Sequence, residues 1–388
     1  MTSDPIRLGV AGLGRGFVLT LPSLLADRRV ELVACAAPRK ESRQAFLGQF
    51  GGRAYPSIEE LASDPDVEAV YIATPHQMHR EHTAVLAAGG KHLLIEKPLA
   101  ISIADATAIV EMAERAGVIV ITGPSHSFDQ PVQMARELIE AGQFGQVRMI
   151  HSLNYTDFLY RPRRPEELVT EQGGGVVFSQ AVHQVDVVRL LMGGTALSVS
   201  AATGAWDPAR PTEGAYAALV QFDGGRFANL VYSGYAHYDS DVLQDDIGEL
   251  GFPKDMTAYG GARRALAAVS TPGEEAALKS GRTFGAVDTP PLAPGSEHFG
   301  PVIVSCDRAD LRLTPKGIEI WGDDRREFVA TPASPSPRAE VFGALHDAIR
   351  IGRIPAQTGR WGRASLEICH AILESARTGE RTGLRHQN

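Results

Sequence analysis

The segment Gly9-Val10-Ala11-Gly12-Leu13-Gly14-Arg15-Gly16 runs an apolar stretch into a glycine turn and out into a helical pattern. Gly12 permits a tight turn, Gly14 lets the backbone come close to a diphosphate, and the unpaired N–H groups of the helix start bind phosphate oxygens. Gly12, Gly14, Arg15, Gly16 and Phe17 are therefore candidate dinucleotide-binding residues. The third glycine of a G-x-G-x-x-G pattern falls on Phe17, and the extra Gly16 sits one residue early, so helix–strand packing there must differ slightly. The second apolar run ends Ala36-Ala37-Pro38-Arg39-Lys40. NAD calls for an acid at such a strand end, to accept hydrogen bonds from the ribose hydroxyls, whereas Arg39 and Lys40 suit a 2′-phosphate. The expected cofactor is NADP or NAD, with NADP favoured.

Two further strand ends carry reactive types. Thr74-Pro75-His76-Gln77-Met78-His79 follows the third run, at the end of a strand where open α/β sheets place ligands. Thr74, Pro75, His76 and His79 are expected to line the cofactor. His76, His79 and His82 resemble a metal cluster at first sight, but a ligand set needs a further carboxylate or thiolate and a second shell, and no metal is expected. Glu96-Lys97-Pro98 closes the fourth run and extends the cofactor-lining set with Glu96 and Lys97. Lys97 is also a candidate acid/base, because desolvation and a nearby cationic nicotinamide both lower a lysine pKa. Later, Gly173-Gly174-Gly175 precedes a helical pattern in which Ser179, His183 and Asp186 fall at i, i+4 and i+7 on one face.

The elements that must hold these residues follow from hydrophobic periodicity. Ile6–Ala11, Glu31–Ala36, Ala69–Thr74, His92–Glu96 and Val118–Ile121 read as buried parallel strands, separated by helix-length segments. One helix runs Arg80–Ala88 to Gly89-Gly90, and another starts at Ser102, with Asp105 three residues on. Residues 1–125 are thus expected to form a doubly wound parallel α/β domain. Beyond Gly123-Pro124 a helix (Pro131–Ala141) leads to strands at Val147–Tyr155, Val199–Ala205, Ala217–Phe222, Phe227–Tyr235, Asp310–Thr314, Gly317–Trp321 and Glu327–Ala330, with one strong helical pattern at Ser179–Met192. Residues 126–388 are expected to form an α+β domain on a mostly antiparallel sheet, with an insertion at about 236–300 and a helical C-terminal segment. With 38 Lys and Arg against 46 Asp and Glu, the 388-residue chain carries a formal charge of −8 and is a poor candidate for nucleic-acid binding. No apolar run reaches the roughly 20 residues of a membrane span, and the N-terminus opens directly on a strand with no leader pattern. Cys35, Cys306 and Cys369 are too scattered for a disulfide framework, which suits a reducing cytoplasm.

The glycine turn, Thr74-Pro75…His79, Glu96-Lys97-Pro98 and the Gly-Gly-Gly…His183…Asp186 helix, in this order and spacing, resemble the Gfo/Idh/MocA family of NAD(P)-dependent oxidoreductases over nearly the whole chain. The resemblance implies a Rossmann domain, a second domain whose open sheet face mediates oligomers (a dimer or tetramer), and action of Lys97 and His183 at a substrate hydroxyl. Many members carry Asp or Asn where this chain has Ser179, so a carboxylate-assisted relay is not expected. The run Asn154–Leu168, with Phe178-Ser179-Gln180, is similar to the phthalate 4,5-cis-dihydrodiol dehydrogenase branch. Its basic loop, Tyr160-Arg161-Pro162-Arg163-Arg164, agrees, since forked guanidinium groups grip carboxylates two-handed. Tyr160, Arg161, Arg163, Arg164, Ser179 and His183 are the expected substrate-binding residues, for an anionic cyclic substrate. Against this stand a loop of merely solvated arginines, a sugar or inositol dehydrogenase, and a cofactor-binding redox sensor without turnover.

Overall fold

The computed structural model describes residues 4–332 and 334–387, which divide into two compact units. The first takes the chain up to Ser125, together with Leu278–Leu292 and Arg338–Arg363. It contains β1 (Ile6–Ala11), α1 (Arg15–Ala26), β2 (Val30–Ala36), α2 (Lys40–Phe50), β3 (Arg53–Tyr55), α3 (Ile58–Ala62), β4 (Ala69–Ile72), α4 (His79–Ala88), β5 (His92–Ile95), α5 (Ile103–Ala116) and β6 (Val120–Thr122). The strands form one parallel sheet in the order β3-β2-β1-β4-β5-β6, with the reversal of strand order at β1. All four residues of β4 are buried, as expected of a strand covered on both faces. Ser102 caps α5 by accepting from the Asp105 amide, and Gly117, in the left-handed region at φ +66°, ends it.

The first unit departs from the sequence reading in two ways. β3 is a sixth strand that the periodicity did not announce, because Arg-Ala-Tyr is three residues long and half-buried throughout. Residues 278–292 and 338–363, expected within 126–388, belong to the first unit. The helix Ala339–Ile351 lies there through its buried Val341, Phe342 and Leu345. The Arg29 guanidinium donates to the Ala339 carbonyl at 2.6 Å, and Arg350 pairs with Glu68 at 3.0 Å.

The second unit takes His126–Ala277, Ala293–Pro337 and Ala364 onward. Its helices α6 (Gln130–Glu140) and α7 (Val182–Met192) accompany β7 (Val147–Tyr155), β8 (Ala196–Gly204), β9 (Ala215–Phe222), β10 (Phe227–Ser233), β11 (Val302–Cys306), β12 (Ala309–Thr314), β13 (Gly317–Gly322), β14 (Arg326–Ala330) and β15 (Thr382–Gly383). The nine strands form one sheet in the order β14-β13-β12-β11-β7-β10-β9-β8-β15. All pairings are antiparallel except β7 with β10. β11 and the two-residue β15 are the strands the sequence reading missed. α7 packs on β7 and β10. On the other face, cross-strand register aligns His151, Asn229, Leu219, Ile303, Arg312, Glu319 and Phe328 in one row. Leu219, Ile303 and Phe328 of that row are exposed.

Candidate active site

The glycine turn sits hard against the end of β4. Gly12 has φ +92°, and a Cβ there would lie 2.8 Å from Thr74 Cγ2 and 3.0 Å from the Ala73 carbonyl, so only glycine fits. Gly14 caps α1 without any side-chain bond to the helix amides. The first amides of this 12-residue helix therefore lack a side-chain cap, which is the arrangement that receives a diphosphate. The early glycine has a local reason. A Cβ at Gly16 would come within 3.1 Å of Glu96 Oε1, while Phe17, in the nominal third position, is fully buried. Arg15, on the first turn, is half-buried, and burial together with the Arg282 guanidinium lowers its pKa. Arg39 precedes α2 and donates to Thr283 Oγ1 at 2.8 Å; Lys40 is exposed.

The loop after β4 is held by its own histidines. His79 is fully buried, with Nε2 3.0 Å from the Thr74 carbonyl and Nδ1 3.2 Å from the Leu99 carbonyl, and His82 Nδ1 lies 2.9 Å from Thr74 Oγ1. Burial pushes His79 down to about 4, so the ring is neutral at ordinary pH. His76 meets the His79 ring edge-on, and Pro75 is exposed. Beyond β5, Glu96 accepts a hydrogen bond from the Tyr71 hydroxyl, and burial raises its pKa. Lys97 is buried, and its Nζ donates to Ser125 Oγ at 2.7 Å. The lysine thus has a fixed Nζ position at a strand end of the first unit.

In the second unit the chain enters α7 through a π-helical turn, Val177–Ala181. Ser179 Oγ donates to the Gly175 carbonyl, four residues back. The wider turn breaks the regular 3.6-residue phase before His183, and Asp186 is buried, so the three residues do not form the expected simple stripe. The His183 ring lies 5.0 Å from both the His126 and Phe299 rings. His126 Nδ1 is 2.6 Å from Asp129 Oδ2, and Nε2 is 3.8 Å from Glu249 Oε1. Burial opposes charge on His126, but Asp129 and Glu249 outweigh it and raise the imidazole to about 10. Among the described residues, His126, Asp129 and Glu297 bring three metal-type ligand atoms within 4.8 Å of one another.

The basic loop divides into three environments. Arg161 Nε donates to Asp157 Oδ1 at 3.0 Å; burial works against its charge, and Glu249 and Asp157 more than restore it. Arg163 is buried, with its guanidinium carbon 3.5 Å from the centre of the Phe158 ring, and burial pushes it down to about 10. Its Nε is a buried donor without an acceptor among the described residues. Arg164 faces Glu166 and Glu167 at 3.3 and 3.5 Å. Tyr160 lies beneath Arg263 and edge-on to Tyr235, in a separate aromatic group. Phe158 meets Tyr232 edge-on, Tyr232 stacks on Phe299, and Phe299 packs on His183. Phe158 and Glu249 thus join Arg161 to the His126–His183 cluster, whereas Tyr160 packs in its own aromatic group and Arg164 pairs with Glu166 and Glu167.

Residues 6–124 match the oxidoreductase family with NAD-binding Rossmann fold (GFO_IDH_MocA), and residues 132–251 match the GFO/IDH/MocA C-terminal domain. A Comamonas testosteroni protein, 1-carboxy-3-chloro-3,4-dihydroxycyclo hexa-1,5-diene dehydrogenase, is 46% identical over 98% of this chain and 97% of its own length. The chain belongs to the Gfo/Idh/MocA family. It is an oxidoreductase with an NAD-binding Rossmann domain. A Bordetella bronchiseptica RB50 crystal structure overlays with a TM-score of 0.92 at 37% identity, covering 98% of this chain and 100% of that one. The myo-inositol 2-dehydrogenase of Thermotoga maritima is 30% identical, but over only 48% of this chain and 55% of its own. The glycine turn, the α1 amides without a side-chain cap and Arg15 fit the dinucleotide this family holds.

Three residues that the structure gathers around His183 escaped the sequence reading. His126 opens a short 3₁₀ turn, His126–Phe128, and Asp129 follows it at the start of α6, a His-x-x-Asp signal legible in the sequence but placed at the expected domain boundary. Glu249 lies in the irregular insertion, where no periodicity marks it.

Proposed function

We propose that this enzyme oxidises a cyclic cis-dihydrodiol carboxylate, such as phthalate 4,5-cis-dihydrodiol, using NADP in preference to NAD. The reading rests on Arg161, the one guanidinium of the basic loop tied through Glu249 to the His126–His183 cluster. The 46% identity with the Comamonas dihydroxycyclohexadiene dehydrogenase supports a related substrate class. A nicotinamide dinucleotide held by the glycine turn, the α1 amides and Arg15 would supply the acceptor for a hydride from the hydroxyl-bearing carbon. Lys97, held by Ser125, takes the hydroxyl proton as its neutral amine and becomes the ammonium. His183 orients the substrate, and Arg161 pairs one carboxylate. The ketone product tautomerises to a catechol, and aromatisation drives the reaction forward.

The fit to NADP rests on the absence of an acid at Ala37 and on Arg39 and Lys40. We also propose a cytoplasmic homo-oligomer, formed on the exposed sheet face that bears Leu219, Ile303 and Phe328. No helix among the described residues is long and apolar enough to cross a membrane. The test is reduction of NAD⁺ and NADP⁺ with aromatic cis-dihydrodiols, carboxylated and uncharged, beside a polyol panel. Turnover confined to the polyols refutes the proposal.

A further inference from the structure

Residues Leu278–Leu292 lie outside both family-matched segments, yet they fold with the first unit and not with the sheet that precedes and follows them in the chain. Their contacts are specific. The Phe284 amide donates to the carbonyl of Leu13, inside the glycine turn, at 3.2 Å. The buried Phe284 ring meets Phe17 of α1 at 5.4 Å and stacks on Phe50 of α2 at 5.7 Å. Thr283 receives Arg39 at 2.8 Å, and Thr289 receives Gln49 at 3.0 Å. A Cβ at Gly285 would lie 3.2 Å from Ala45 Cβ, so the segment runs close along α2. The strap therefore joins the turn that would hold the diphosphate to the strand end that would meet the adenosine ribose.

Its charge is the second observation. Arg282 is exposed and acts electrostatically on Arg15, on the first turn of α1. Among the described residues neither guanidinium has a hydrogen bond or ion pair to an acid. Two like charges beside an uncapped helix N-terminus, without a carboxylate to compensate them, make a place where a phosphate group is stabilised from three sides. We propose that Leu278–Leu292 forms a wall of the dinucleotide site in which Arg282 and Arg15 together bind a cofactor phosphate while Thr283 fixes Arg39 beside it. The inference rests on the NAD(P)-binding reading and adds to it a binding element from outside the Rossmann core.

Calorimetric titration of the full-length protein with NADPH, NADH and adenosine 2′,5′-bisphosphate tests this without turnover. Arg282 is solvent-exposed, so Arg282→Ala should fold normally, and its melting temperature checks that. The expected result is a Kd for NADPH raised about tenfold, the size of one lost charge-assisted phosphate contact, with substantial recovery in Arg282→Lys. A loss shared by NADH places Arg282 at the diphosphate; a loss confined to NADPH and the bisphosphate places it at the 2′-phosphate. Wild-type binding with Arg282→Ala unchanged for all three ligands overturns the wall and leaves the cofactor site standing. Failure of the wild type to bind any of them overturns both.

Discussion

At the scale of single residues, Lys97 and Arg161 bear different parts of the proposed chemistry. The Lys97 side chain is buried, and its Nζ donates to Ser125 Oγ at 2.7 Å. Lys97→Ala should lower kcat by about 10²–10⁴-fold, the usual share of a positioned acid/base group, while the Kd of the dinucleotide stays near the wild-type value. Stopped-flow turnover and fluorescence titration separate the two; near-normal turnover would make Lys97 structural. Arg161 is bonded to Asp157 and electrostatically tied to Glu249, so its charge is partly used within the protein. Arg161→Ala should raise KM for a carboxylated dihydrodiol by an amount equivalent to about 2–5 kcal/mol, the cost of removing a partner from a buried ligand charge. For an uncharged dihydrodiol the change should be small, and equal changes for both would remove the carboxylate role.

At the scale of elements, a few close approaches fix where the site residues stand. α1 approaches the end of β5 through Gly16, where a Cβ would lie only 3.1 Å from Glu96 Oε1. Gly16→Ala should shift the Glu96 carboxylate by a few tenths of an ångström and weaken the hydrogen bond it accepts from the Tyr71 hydroxyl. We expect a lower melting temperature, corresponding to about 1–3 kcal/mol for a disturbed buried polar pair, together with weaker dinucleotide binding. Differential scanning fluorimetry with and without cofactor measures both, and an unchanged melting temperature would mean that Glu96 relaxes freely. The π turn ahead of α7 is the corresponding device in the second unit. It leaves Ser179 bonded back to Gly175 and sets His183 against Phe299. A hydroxyl already donating to a carbonyl is not a carboxylate relay, so Ser179→Ala should slow turnover only weakly, and a loss as large as that of Lys97→Ala would assign Ser179 a proton-transfer role.

At the scale of the molecule, two buried histidines set opposite pH limits. His126 titrates at about 10 in the folded chain, above the unfolded value of about 6.5. Its ion pairs therefore stabilise the fold fully below about 6.5, and that contribution is lost as pH rises through 10. His79 titrates at about 4, below the same unfolded value, so its contribution is present above about 6.5 and lost as pH falls through 4. Stability should peak near neutrality and decline on both sides, with the alkaline decline belonging to the second unit and the acid decline to the first. Denaturant unfolding from pH 4 to 10 checks this. His126→Gln should remove the alkaline limb alone, and a profile that keeps that limb would sink the assignment.

The sequence by itself determined most of the first unit: the glycine turn, the runs that became β1, β2, β4, β5 and β6, and the placing of Lys97 and Thr74 at strand ends. These features are local. Apolar periodicity and turn chemistry act over a few residues, and a parallel sheet buried on both faces writes its strands as unbroken apolar runs. The family resemblance was equally legible, because its motifs recur in a fixed order. Tertiary structure alone decided the rest. It brought His126, Asp129 and Glu249 to His183, returned residues 278–292 and 338–363 to the first unit, and sorted three similar arginines into three environments. The gathering around His183 and the return of two segments to the first unit depend on contacts between residues tens to hundreds of positions apart, whereas the arginines are sorted by partners two to five positions away that the folded loop turns toward them. Their energies come from burial and charge pairing that no local pattern records.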